Sequence, residues 1–210
     1  MSGRKPTYGT SGNGSDYQFV VIGKTGNGKS ATCNTILGRK QFAIGRGVST
    51  TTLQVQVEEG TRMGCRLKVV DTPDLSNMSV ATWKMEQEVS QWKKLARPGP
   101  SAVLLTVRCD IRYTPEEFEI YRQIKQLWGS DLKKRLVVAF TFGDCQDRDI
   151  RVEMRNAGQE LKKVLEDAKN RYIVFDNKAT DNDQQVSELI RIARDISKNS
   201  CCCSRFPCCK

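Results

Sequence analysis

Not one of the 210 residues is a histidine. That absence removes imidazole from acid–base catalysis and takes away the commonest ligand of catalytic zinc. No run approaches the roughly 20 apolar residues that a membrane-spanning helix needs. Proline and glycine, at 6 and 16, are too few for a low-complexity chain. The opening "MSGRKPTYGTSGNGSDYQ" lacks the apolar stretch of a signal peptide, so residues 1–16 are expected to be a polar, disordered lead-in. A cytoplasmic setting is the expectation.

Positive charge, by contrast, is plentiful. Lys and Arg exceed Asp and Glu by 34 to 24, a net +10, and are spread along the chain rather than gathered in one block. Such a balance favours anionic partners: phosphates, nucleic acid or the acidic leaflet of a membrane. A solvated basic surface explains it equally well, and no RRM, KH or zinc-finger pattern points to nucleic acid.

The length suits one sizeable domain. Short β-branched runs ("YQFVVIG", "TTLQVQVEE", "CRLKVVD", "AVLLTVR", "RLVVAFTFG", "RYIVFD") alternate with amphipathic stretches beginning at Lys29, near Val80, after Thr114, near Arg151 and near Asp183. That rhythm predicts an α/β fold, a doubly wound, mostly parallel six-stranded sheet with helices on both faces. In "TPEEFEIYRQIKQLWG", Thr114 can cap, Pro115 suits the first helical position, Glu117 completes a capping box and Gly129 stops the helix. Val186, Leu189, Ile190, Ala193 and Ile196 form one apolar stripe on the last helix.

The chemistry-bearing segment is Gly23-x4-Gly28-Lys29-Ser30, placed after an apolar strand and at the start of a helix. Glycines there let backbone N–H groups turn inward towards phosphate, and the helix N-terminus adds positive potential. Lys29 would reach the β- and γ-phosphates and the Ser30 hydroxyl would bind Mg²⁺. A tight strand-to-helix turn alone would need neither a lysine nor a hydroxyl at those two places. Asp71, ending "CRLKVVD", suits the metal side of the same site. Thr141 and Asp144 in "LVVAFTFGDCQ" and Asn177 in "YIVFDNKA" end later strands, where open sheets bind ligands. A carboxylate at Asp144 could accept from the N1–H and exocyclic amine of guanine; ordinary polar turns are the plainer alternative.

Together "GKTGNGKSATCNTILGRKQF", "DTPDLSN", "TFGD" and "FDN" resemble the successive boxes of the GTPase of immunity-associated proteins (GIMAP) family, relatives of septins and chloroplast-import GTPases. "RPGPSAVLLTVRCDIRYTPEEFEIYRQIKQLWG" resembles that family's long box, and the likeness spans about Tyr17 to Ser197. The resemblance implies GTP/GDP binding by Gly23, Lys24, Thr25, Gly26, Asn27, Gly28, Lys29, Ser30 and Ala31. It implies a first switch in "IGRGVSTTT", with Thr52 or Thr51 at the γ-phosphate and Mg²⁺, and a second switch starting at Asp71. Asp144 would bind guanine and Asn177 would sit in the loop closing over the base. Nucleotide-controlled self-association, as a homodimer or GTP-dependent oligomer, at the cytosolic face of a membrane is implied in the same way. The GTP-binding domain would occupy 17–199 and a Cys-rich tail 200–210.

Two departures point to slow hydrolysis. Asp74 stands where GTPases of this class usually have the glycine that senses the γ-phosphate. Leu75 stands where Ras-like enzymes carry a water-orienting glutamine, so no catalytic residue is singled out. In the tail, Cys201, Cys202, Cys203, Cys208 and Cys209 lie beside Lys and Arg. S-acylation is the expectation, with metal binding or an unmodified tail as alternatives; a reducing cytosol opposes disulfides. Cys33, Cys65, Cys109 and Cys145 are expected to be buried small hydrophobes. Two other readings stay open: a P-loop ATPase or phosphotransferase, and a pseudo-GTPase interaction module.

Overall fold

The protein was analysed as a computed structural model, which describes residues 16–44, 54–73, 82–145 and 149–201. Among the described residues there are six strands: β1 Asp16–Ile22, β2 Gln56–Arg62, β3 Cys65–Asp71, β4 Ala102–Arg108, β5 Leu136–Thr141 and β6 Tyr172–Val174. Seven helices accompany them among the described residues: α1 Lys29–Leu37, α2 Thr82–Leu95, α3 Pro115–Trp128, α4 Asp131–Arg135, α5 Ile150–Asn156, α6 Gln159–Asp167 and α7 Asp183–Cys201. They build one sheet in the order β2-β3-β1-β4-β5-β6. All pairings are parallel except β2 with β3, a hairpin closed at Met63–Gly64.

Alternation along the strands explains the two-sided core. Val20 and Ile22 of β1 join Val103, Leu105 and Val138 against α2, α3 and α6. Phe19 and Val21 join Leu104, Val137 and Ala139 against α1 and α7. The expected stripe of α7 is the buried one: Val186, Leu189, Ile190, Ala193 and Ile196 are all at most 5% exposed. Helix α3 starts as anticipated, with the Thr114 capping box, Pro115 in the first turn and Gly129 at its end with φ 88°.

Three expectations need correction. β2 begins at Gln56, leaving Gln54 and Val55 outside it, and runs on to Arg62 because its antiparallel partner β3 continues that far. The single helix expected near Arg151 is two, since Ala157 and Gly158 leave helical geometry (ψ 154° and 162°) between α5 and α6. Of the four scattered cysteines only Cys33 is buried; Cys65 and Cys109 are half-buried and Cys145 is exposed.

A polar cluster ties α3, α4 and α6 together. Asp167 accepts from the Tyr121 hydroxyl at 2.7 Å and pairs with Lys125 and Lys133, each at 2.5 Å. Burial alone would raise its pKa; hydrogen bonds from Lys125, Lys133 and Tyr121 outweigh that and hold the carboxyl at about 2. Because the folded pKa lies below the unfolded one, this stabilisation is complete above about pH 4 and vanishes as pH falls towards 2. Asp167→Asn should therefore cost about 2 kcal/mol at pH 7. Urea unfolding at stepped pH should show the gap to wild type closing between pH 4 and 2.

Candidate nucleotide-binding site

β1 ends at Ile22, and the chain turns through Gly23–Gly28 into α1 at the C-terminal edge of the parallel strands. Gly26 and Gly28 have φ of 83° and 81°, in the left-handed region that favours glycine. A Cβ on Gly26 would meet nothing within 4 Å, so the loop leaves space on that side. Lys29 is buried and its ammonium lies along the loop, donating to the carbonyls of Gly23 at 2.9 Å and Lys24 at 3.0 Å. This is the concave, backbone-lined turn at a helix N-terminus that suits phosphate.

The metal side is assembled from two elements. Ser30, in the first turn of α1, donates to Asp71 Oδ2 at 2.6 Å, and Asp71 is fully buried at the end of β3. A hydroxyl and a carboxylate in contact beside a phosphate loop form a hard-oxygen donor set that fits Mg²⁺. Neighbouring Thr72 donates to the Val21 carbonyl at 2.7 Å, which fixes the strand end.

The loop's posture is held from the far side. Asn27 donates to the Thr106 carbonyl at 3.1 Å and to Glu117 Oε1 at 2.7 Å. Glu117 Oε2 meanwhile accepts from the Thr114 N–H and hydroxyl, both at 2.9 Å. One buried carboxylate thus caps α3 and anchors the phosphate loop, and Lys24 pairs with the adjacent Glu116. Glu117→Ala should lower stability by about 1–2 kcal/mol, the range for a lost cap, and weaken nucleotide binding several-fold. Thermal unfolding with and without GTP separates the two effects.

Thr141, Asp144 and Asn177 lie at the same edge. The Thr141 hydroxyl donates to the Asn27 carbonyl at 2.9 Å, joining the end of β5 to the phosphate loop. Phe142 has φ 61° and carries the Arg108 guanidinium 3.9 Å over its ring. Arg108 is itself fixed by a two-point pair with Asp110, at 2.9 and 2.6 Å, which holds the Asp110 carboxyl below its usual range. Gly143 donates to the Phe175 carbonyl at 3.0 Å, and a Cβ there would stand 2.9 Å from Val174 Cγ1. Only glycine lets the β5 and β6 loops approach so closely.

Asp144 Oδ2 accepts from Lys178 at 2.5 Å and from the Cys145 thiol at 3.3 Å, and the Lys178 bond lowers its pKa. The two loops expected to read a base are therefore joined by an ion pair. Lys178 was not among the sequence candidates; its place two residues after an Asx turn at Asp176 is the only local signal. Asn177 is brought to this edge, but its amide faces α1: it accepts from Thr35 at 2.8 Å and donates to Thr32 at 3.1 Å. Its observed role is to tether the loop to α1. Thr51, Thr52, Asp74 and Leu75 lie outside the described residues, as do Cys202, Cys203, Cys208, Cys209 and the side chain of Cys201.

Burial pushes Cys109 up to about 11, and the Asp144 contact raises Cys145.

The profile of the AIG1 family matches residues 17–202. Immune-associated nucleotide-binding protein 7 of Arabidopsis thaliana is 35% identical over 191 residues, covering 87% of this chain and 61% of that protein. Human GTPase IMAP family member 8 is 26% identical over 182 residues, 87% of this chain and 27% of its own length. The chain thus spans about 61% and 27% of those two relatives. Among solved structures, Toc33 from Arabidopsis thaliana in complex with GDP and Mg²⁺ superposes with a TM-score of 0.63 at 19% identity, over 88% of this chain and 85% of that one. A structure of the chloroplast translocon components atToc33 and psToc159, for whose GTPase activity dimerization is important, gives 0.67 at 16%, over 89% and 85%. These likenesses share the fold. With a profile match over residues 17–202, this chain belongs to the AIG1 family.

Proposed function

We propose that the chain is a guanine-nucleotide-binding switch or scaffold that takes GTP and GDP with Mg²⁺ and hydrolyses GTP slowly by itself. One observation carries this reading: the phosphate loop, the Ser30–Asp71 donor pair and the Asp144 carboxylate converge on one strand edge, on loops bonded to one another. In that arrangement Gly23–Ala31 would cradle the phosphates and Lys29 would leave the loop carbonyls to neutralise them. Ser30 and Asp71 would hold Mg²⁺, which when bound offsets charge on the phosphate oxygens. Asp144 would accept the two guanine donors, and Thr141 and Asn177 would keep the loops in register. Family membership and Toc33 structures in complex with GDP or GMPPNP and Mg²⁺ support the ligand class.

Slow hydrolysis follows from Leu75, which has no polar atom to orient water, and from the absence of histidine. Thr52 or Thr51 at the γ-phosphate and Asp74 in the second switch complete the proposed site. Self-association in the GTP state is proposed because dimerization matters to GTPase activity in the translocon proteins of similar fold. Attachment to the cytosolic face of a membrane is proposed through acylation of Cys201, Cys202, Cys203, Cys208 and Cys209. Single-turnover GTP hydrolysis at low and high protein concentration tests the account. A slow rate that climbs with concentration is expected; fast hydrolysis by dilute protein would overturn it.

A further inference from the structure

Sequence order scatters the cations, but the fold collects a set of them at the end of the sheet opposite the phosphate loop. Lys94 and Arg97 follow from the last turn of α2, which leads into β4. Lys133 and Lys134 form α4, directly before β5. Lys169 lies in the turn that feeds β6, and Lys198 in the last turn of α7. Hydrogen bonds show that these segments adjoin. Lys93 donates to the Trp128 carbonyl at 3.0 Å, linking the end of α2 to the α3–α4 corner. Arg171 donates to the Lys133 and Lys134 carbonyls, both at 2.6 Å, linking the β6 turn to α4. α7 packs on α4, and its Arg194 reaches Tyr17 at the start of β1.

Some of this charge is compensated: Lys133 pairs with Asp167 and Lys134 with Asp131. Lys94, Arg97, Lys169 and Lys198 are exposed and form no ion pair among the described residues; the exposed carboxylates at this end are Glu166, Asp131 paired with Lys134, Asp16 paired with Arg66 and Asp195 paired with Arg191. Of the large exposed apolar side chains among the described residues, Met63 lies in the turn before β3 and is not aromatic, while Trp83 stands at the opposite end of α2 from Lys94. The pole therefore has charge without the aromatic platforms on which nucleic-acid bases stack. It is also where α7 ends, at Cys201, and where the sequence continues as "CCSRFPCCK".

We infer that this pole is a docking surface for anionic phospholipid headgroups, laying the protein on an acidic leaflet with the nucleotide site facing away. Juxtamembrane cations each strengthen such contact several-fold, within a Debye length of the surface. The surface acts without acylation, so it stands apart from the proposed tail modification.

The test uses the full chain made without acylation and sedimented with vesicles of phosphatidylcholine alone or with about 30% phosphatidylserine. Wild type should bind only the acidic vesicles and be released by about 0.5 M salt. Lys94→Glu, Arg97→Glu, Lys169→Glu and Lys198→Glu together should reduce binding at least about tenfold while leaving GTP binding intact. Reversing Lys84, Arg112, Arg122 and Arg155 instead should leave vesicle binding within about twofold, because the field falls off within a Debye length. Equal loss in both variants, equal binding to neutral vesicles, or capture of single-stranded RNA with no vesicle binding would each overturn the inference.

Discussion

Asp144→Asn should lower GTP affinity by about a hundredfold and leave the protein preferring xanthosine triphosphate. Guanine presents two donors, N1–H and the 2-amino group, and a carboxylate accepts both; charged hydrogen bonds of this kind contribute about 1.5–3 kcal/mol each. An amide keeps one acceptor and turns the other position into a donor, which opposes the amine but suits the 2-carbonyl of xanthine. Lys178 adds to the effect, since it pairs with Asp144 Oδ2 at 2.5 Å and would face an uncharged amide in the variant. The fold should be untouched, because the Gly143–Phe175 bond and the Thr141–Asn27 bond that place this loop do not use Asp144. Displacement of a fluorescent guanine nucleotide by both triphosphates measures the change. Unaltered GTP affinity would remove Asp144 from the base site.

Gly23→Ala should be the most damaging single methyl in the molecule. Gly23 has φ 140°, and an added Cβ would stand 2.4 Å from the Thr106 hydroxyl and 2.9 Å from the Thr106 carbonyl. That hydroxyl donates to the Ile22 carbonyl at 3.1 Å, so it cannot swing aside without breaking the seam between β1 and β4. Overpacking and backbone strain together should cost about 3 kcal/mol or more, with nucleotide binding lost. Gly26→Ala provides the contrast. Its Cβ meets no protein atom within 4 Å at φ 83°, so stability should fall by only about 1–2 kcal/mol. Its methyl enters the space left for phosphate, and affinity should fall although the protein folds. Chemical denaturation alongside nucleotide titration distinguishes a folding defect from a site defect.

The features legible in the sequence are local or periodic. The phosphate loop, the capping box of α3, the buried stripe of α7 and the strand-terminal Asp71 all depend on residues within one or two turns of each other, and each is present. What escaped depends on partners far along the chain. Glu117 looks like a cap and no more until Asn27, 90 residues away, donates to it. Lys178 gains its meaning from Asp144, 34 residues earlier, and Asn177 is turned towards α1 by two threonine hydroxyls. Cys145 matches Cys33 in type, yet one lies on an exposed turn and the other under the sheet. The basic pole is the same lesson at larger scale, because cations uniform in sequence are gathered by parallel topology at the strand starts.

Competition between purine triphosphates tests most directly whether the site reads guanine through Asp144. The full chain with Mg²⁺ and a fluescent-labelled GDP should release the probe to GTP at a concentration at least about a hundredfold lower than to ATP, the discrimination expected when an unmatched base leaves a charged group unpaired. ATP displacing the probe as well as GTP would contradict the account and return the chain to the P-loop ATPases and phosphotransferases.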